Sequence, residues 1–548
     1  MTTEAATMVF EPPGKGEWRS LRDHFPRAVT PQYAELLPTA MRDGEAQAFE
    51  EYGLPVRSVM AGLSHGHVYI APEPLFGRPS NTVPPKAALW LATRLLPAFR
   101  RRAHAAAGVL ASRPWRGDAE RWFAVERAGW VEANRALQSE DPDAMDRVAL
   151  VDHLRRVHAH TAIAYERHFA LHGPDMVPAG LLLARGQEWG IPADVLLGAL
   201  VGASPVSTGQ DDRLDALRGA VGASGTEPTS IDEVRAVAGA ELDDFLDEHG
   251  WRLVTGYDID SLALIELPSL VAQLSRPRPP ADRDDVASGE EAVERLLGMV
   301  GEGDRVELAV LVADARATVG VRDDNGAVTA AWPAGLLRRA MLAAGRALAA
   351  EGALASSEHA VEITVVELCD LLLGRGALTA AAVTARADER RARSELVPPL
   401  QLGPTLDFPF DVLPDGMRTV ARALFALRDA TTATVTARSG LDGDGIGGHA
   451  YRGRAVVAAD PGDALDRLVP GDVLVAFGTT PAYNMALSIA GAVVVEEGGL
   501  LSHAAVIARE LGLPAVIGAA GAMRDIPDGA FVEVDPLAGC VRVLTRTS

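Results

Sequence analysis

The residues best placed to do chemistry lie near the end of the chain, in Gly498-Gly499-Leu500-Leu501-Ser502-His503-Ala504-Ala505. One histidine follows a glycine turn and opens a stretch with helical spacing, Val506 to Leu511. A helix start offers unpaired N–H groups and the positive end of the macrodipole, which favour a bound anion. Glycines just upstream let the backbone approach that anion. An imidazole there can take a phosphoryl group on a ring nitrogen and have its charge stabilised in place. Ser502 suits the N-cap, Gly512 the C-cap, and Leu513-Pro514 starts a buried strand.

A second helix start is written upstream in Thr479-Thr480-Pro481, with Pro481 at the first helical position and Thr480 as its cap. Two helix N-termini converging on one imidazole make a phosphate cradle, so Gly498, Gly499, Ser502, Thr479 and Thr480 are the expected phosphate-binding residues around His503. Glu496 and Glu497 either orient the imidazole or end a solvated strand. Arg509, six residues after His503, leaves the histidine's helical face and is expected to pair structurally.

Other candidates lie upstream. His153, His158, His160, His168 and His172 crowd one predicted helix. His168 and His172 share a face, yet Phe169 stands where a metalloprotease motif needs glutamate, so no metal is assigned. His160, His168 and Tyr165 are candidates for an acceptor pocket, one of them as general base. Arg322-Asp323-Asp324-Asn325-Gly326 reads first as a turn, with Arg322 a candidate ligand of phosphate or carboxylate.

These residues need elements to hold them. Prolines at 26 and 31 exclude a helix interior over residues 24–31. From Pro84 to Gly202 apolar residues recur at helical spacing, and they do so again from Glu290 to Ala355. A polar stretch from Ser275 to Glu291 reads as a surface loop or boundary. Gly440 to Gly448 holds five glycines in nine residues and reads as an unpacked linker. Short β-rich runs follow at 454–457, 472–477, 492–495, 515–517, 531–534 and 541–544, alternating with two helical segments. The expected organisation is a mostly α-helical region over 1–438, a hinge over 439–448 and a swivelling α/β domain over 449–548.

Bulk properties narrow the class. The 548 residues exceed what one core organises, and 48% are hydrophobic. A net charge of −22 excludes a basic nucleic-acid binder, and two cysteines provide neither a disulfide framework nor a thiolate cluster. The N-terminus lacks a signal-peptide pattern and no apolar run reaches spanning length, so a cytoplasmic protein without a membrane segment is expected.

From about Gly471 to Gly518 the sequence closely resembles the mobile phosphohistidine domain of the phosphoenolpyruvate-utilising enzymes: phosphoenolpyruvate synthase, pyruvate phosphate dikinase and rifampin phosphotransferase. The resemblance rests on Gly498, Gly499, Ser502, His503, Ala504, Ala505, Ala508, Arg509, Glu510, Gly512, Pro514, Ala515, Val516 and Gly518. It implies that His503 is phosphorylated. Trp18, His24-Phe25-Pro26-Arg27, Glu248-His249-Gly250-Trp251-Arg252 and Glu266-Leu267-Pro268 are similar to the helical substrate domain of the rifampin phosphotransferases, which makes Arg252 a candidate substrate ligand. No segment reads as the family's ATP-grasp nucleotide domain or its pyruvate-binding barrel. The resemblance therefore implies a phosphotransferase, or phosphotransfer subunit, loaded from the β-phosphate of ATP, with Mg2+, on a separate ATP-grasp protein. The acceptor is an oxygen of a small molecule. A non-catalytic phosphocarrier docking a partner protein, and a component that phosphorylates and then eliminates, are the alternatives.

Overall fold

The architecture comes from a computed structural model that describes residues 9–22, 24–204, 212–276, 289–431, 441–479, 483–499 and 502–545. The proline-punctuated N-terminal segment is extended up to Thr30, whose hydroxyl caps a 21-residue helix, Pro31–Glu51, by accepting from the Tyr33 N–H at 3.3 Å. Sequence periodicity did not single out this helix. A small antiparallel sheet, also unexpected, stands beside it. Strands β1 (Trp18–Ser20), β2 (Val56–Ser64), β3 (His67–Pro74) and β4 (Gln401–Leu402) run in the order β2-β3-β1-β4. The β2–β3 hairpin turns on His65-Gly66, both at positive φ, as a two-residue loop matched to strand twist requires.

Most of the remaining N-terminal region is helical, as the spacing predicts. Arg147–Ala170 carries His153, His158, His160 and His168, and a break at Leu171 starts His172–Glu188. The largest departure from the sequence reading falls at Arg322–Gly326. It is no turn: the helix Glu302–Asn325 runs through it and widens into a π-helical segment, Gly326–Ala331, before Trp332–Ala350 continues. The turn-forming residues are overridden by tertiary bonds. The Asp324 carboxylate accepts from Trp122 Nε1 at 2.9 Å and from Arg127, while Asn325 Nδ2 donates to the His168 carbonyl at 3.1 Å.

The C-terminal domain is a seven-stranded sheet: β5 (Asp444–Ile446), β6 (Tyr451–Ala458), β7 (Val473–Ala476), β8 (Ala492–Val495), β9 (Ala515–Ile517), β10 (Phe531–Asp535) and β11 (Cys540–Thr545), in the order β11-β10-β6-β7-β8-β9-β5. The four central strands are parallel and the outer ones antiparallel. Four short helices accompany them, not two: Pro461–Arg467, Asn484–Ile489, His503–Leu511 and Ala522–Asp525. Part of the expected linker is packed, because Asp444–Ile446 pairs with β9. A Cβ on Gly445 would meet the Pro536 carbonyl oxygen at 1.7 Å, so glycine there serves close backbone approach. Residues 439 and 440 lie outside the described set.

The two regions are packed together. One buried apolar cluster runs from Leu217, Leu242 and Leu270 into Leu474, Leu487 and Ala504 of the C-terminal domain. No described helix is long and apolar enough to cross a membrane.

Candidate functional site

His503 is the first residue of its helix. Ser502 caps it as expected, its hydroxyl accepting from the Ala505 N–H at 3.4 Å, and Gly512 closes it in the left-handed conformation at φ 65°. The glycine turn brings the backbone in close: Gly498 has φ 143°, and a Cβ on it would lie 2.9 Å from the Ser502 side chain. The Gly499 carbonyl accepts from the Ser502 N–H at 2.8 Å.

Both imidazole nitrogens have partners within the same domain. Thr479 Oγ1, just beyond β7, lies 3.0 Å from Nδ1, and Asn484 Oδ1, at the start of the next helix, lies 2.7 Å from Nε2. With the amide oxygen in that position Nε2–H donates to Asn484 and Nδ1 accepts from the Thr479 hydroxyl. Thr479 therefore holds the imidazole itself. Thr480 and Pro481 lie outside the described residues, and the nearby helix runs Asn484–Ile489. Asn484 was not singled out from sequence; one asparagine five residues beyond Thr479 carries no local signal. Glu496 and Glu497 do not orient the ring. Glu496 accepts from the Met523 N–H at 2.9 Å, and Glu497 pairs with Arg22 at 2.7 Å. Arg509 Nη1 donates to the Ala505 carbonyl at 3.4 Å.

Groups outside its own domain also act on the ring. Burial pushes the His503 imidazole down to about 3, with Arg322 and His24 adding to the effect, so it is neutral at pH 7. Arg322 and His24 also act on His168, which burial and then His172 bring down to about 3. Arg322 and His24 thus bring His503 and His168 into one polar neighbourhood. Gly326, where the π-segment begins, lies beside it: a Cβ there would sit 4.0 Å from His168 Cε1, an ordinary contact distance. Beside the pocket, a cleft of about 60 Å³ is lined by Arg22, His24, Tyr257, Asp258, Phe477 and Tyr483. Arg22 closes it from above, stacking 4.2 Å from the Phe477 ring centre while pairing with Glu497.

Two candidates fall elsewhere. Arg252 joins an ion-pair network around the buried Glu248 carboxylate, at 3.1 Å, with Arg127 at 2.8 Å and Arg213 at 3.0 Å. That network ties helices together, so Arg252 is not brought to His503. His160 Nε2 is bonded to Asn134 Oδ1 at 2.7 Å. Tyr165 accepts from the Tyr33 hydroxyl at 2.8 Å within a fully enclosed aromatic cluster. No group of three or more His, Cys, Asp or Glu residues placed to hold a metal occurs among the described residues.

Residues 468–539 match the family described as PEP-utilising enzyme, mobile domain. A rifampicin phosphotransferase from Streptomyces sviceus is 29% identical over 325 residues, 56% of this chain and 34% of that protein. A phosphoenolpyruvate synthase from Aeropyrum pernix is 43% identical over 89 residues, 16% of this chain and 11% of that protein. An uncharacterised Mycobacterium tuberculosis protein is 43% identical over 119 residues, 22% of this chain and 14% of that one. The chain therefore spans about a third or less of the length of these relatives.

Proposed function

We propose that this chain, a member of the phosphoenolpyruvate-utilising and phosphotransferase family through its C-terminal mobile domain, is a phosphotransferase whose travelling group is carried on His503. The observation that supports this most directly is a neutral imidazole at a helix N-terminus, held at both nitrogens by Thr479 and Asn484 and facing Arg322 of the other region. A neutral ring has a lone pair to offer at pH 7, and a charged one does not.

The roles of the two partners differ. A threonine hydroxyl donates or accepts, so Thr479 holds Nδ1 whichever tautomer the ring adopts. An amide oxygen only accepts, so Asn484 must release or turn its amide when Nε2 loses its proton. Nε2 is then the phosphoryl-bearing atom, and Nδ1 the anchored one. The positive end of the His503 helix and the close backbone at Gly498 and Gly499 stabilise the added charge.

The donor is ATP with Mg2+ on a separate ATP-grasp protein, which supplies the phosphoryl group. The His503 lone pair attacks phosphorus as the bond to the leaving oxygen breaks. The domain then turns relative to the helical region, carrying Asp444–Ile446 with it through their pairing with β9. Docked against the helical region, phospho-His503 meets Arg322, whose planar guanidinium suits the phosphoryl oxygens. The 60 Å³ cleft holds only a few waters, so the acceptor enters before docking is complete.

The test incubates the chain with ATP and Mg2+, with and without the ATP-grasp partner, and measures acid-labile phosphate by mass spectrometry. Label on the wild type that depends on the partner and vanishes in His503→Ala is expected. Equal labelling of His503→Ala overturns the reading, and labelling without a partner overturns the separate donor.

A further inference from the structure

Of the five clustered histidines, four have ring nitrogens committed to side chains. His153 bonds Glu140 at 2.9 Å, His158 bonds Gln32 at 3.0 Å, His160 bonds Asn134, and His172 Nδ1 bonds Glu45 at 2.7 Å. His168 is different: its Nδ1 is buried and has no hydrogen-bond partner among the described residues. A buried polar atom left unpaired costs about 1–3 kcal/mol, so its retention calls for a reason.

Its surroundings supply one. The His172 ring stands 5.3 Å from His168, edge to face, with Phe169 and Tyr165 on other sides. The groups facing His168 are His172 from the following helix, Arg322 and Asn325 from the Glu302–Asn325 helix, and His24 from the N-terminal segment, while Glu45 and Asp175 face His172. The two histidines are driven apart. Burial opposes charge on His172, yet the Glu45 carboxylate outweighs it and raises that ring, while His168 is held neutral. Of the two rings, His168 is the one that stays unprotonated and has a lone pair to offer.

We infer that His168 is the catalytic base of the transfer step, taking the proton from an un-ionised hydroxyl acceptor through its unpartnered Nδ1. This rests on the reading of His503 as phosphoryl carrier and adds the acceptor's proton to it. The acceptor oxygen attacks phosphorus, and the N–P bond breaks with its electron pair returning to the His503 ring. The hydroxyl proton passes to His168 Nδ1. The cation so formed is balanced by the dianionic phosphate ester beside it. An anionic acceptor such as a carboxylate or inorganic phosphate has no need of this base.

The test loads the full chain at His503 with phosphoramidate, which bypasses the nucleotide donor, and follows phosphohistidine by 31P NMR with phenol, benzyl alcohol, acetate or inorganic phosphate added. The wild type is expected to form phosphate esters with the two hydroxyl probes. His168→Gln should slow that transfer about 100-fold or more at saturating probe, with loading and spontaneous hydrolysis of phosphohistidine unchanged. His168→Asn, smaller and also neutral, should behave alike and guards against a packing defect in one variant. Hydroxyl transfer at the wild-type rate in both variants overturns the assignment, as does a wild type that phosphorylates neither hydroxyl probe. Failure of the carrier reading is separate: it shows as His503→Ala loading as well as wild type.

Discussion

At the scale of single residues the account turns on how an imidazole is held ready. Thr479→Val removes the partner of Nδ1 while keeping shape, and should lower phosphorylation of His503 about 5- to 30-fold through loss of one orienting hydrogen bond. Asn484→Leu should instead leave Nε2 unopposed. It is expected to impair transfer less than Thr479→Val, and both are read by quench-flow measurement of phosphohistidine. The place of His503 at a capped helix start was legible because its motif is local: cap, histidine and C-cap glycine lie within eleven residues. Asn484 and His24 were not legible as its partners, since only the fold brings them together. Arg252 shows the opposite error. Its sequence neighbourhood suggested a ligand, and the buried Glu248 claims it.

Protonation belongs to this scale too. His503 and His168 sit near 3 in the docked pocket against an ordinary value of 6.5. A histidine held neutral binds fewer protons than the same group released into water. Docking is therefore at full strength above about pH 6.5 and weakens as the pH falls towards 3. Each group contributes at most ~1.4 kcal/mol per pH unit across that window. Small-angle scattering between pH 7 and pH 4.5 should show the chain expanding before its far-UV circular dichroism changes; loss of both together would contradict the account.

At the scale of elements, the glycine turn and the π-segment do the positioning. Gly498→Ala forces a side chain onto φ 143° and into Ser502, so it should lower the melting temperature and phosphohistidine yield together. Ser502→Ala loses only the cap, about 1 kcal/mol, and should reduce stability while leaving a measurable yield. The strands around this helix could be read from β-branched runs, because a buried parallel strand is apolar along its whole length. The π-segment could not. Asp, Asn and Gly in series favour a turn locally, and only the bonds from Trp122 and Arg127 to Asp324, and from Asn325 to the His168 carbonyl, keep the helix going. Arg322 reaches the pocket because of that continuation.

At the scale of the whole molecule, the domain carrying His503 is docked on the region that would hold the acceptor. Its docking combines a continuous apolar cluster with the Arg22 clasp on Glu497 and Phe477. Arg22→Ala removes an ion pair and a cation–π contact together, and should shift the docked population about 5- to 30-fold towards the open form, read by energy transfer between labels on the two regions. The strand within the glycine-rich stretch was not legible, since β5 owes its place to β9 and to the close approach of Pro536. The most direct measurement remains the phosphate on one nitrogen. Phosphorylated with ATP, Mg2+ and its ATP-grasp partner, the chain should show a single phosphohistidine at His503 by mass spectrometry and 31P NMR, on Nε2, absent from His503→Ala. Phosphate of equal amount in His503→Ala, or on any other residue of the wild type, would contradict the account.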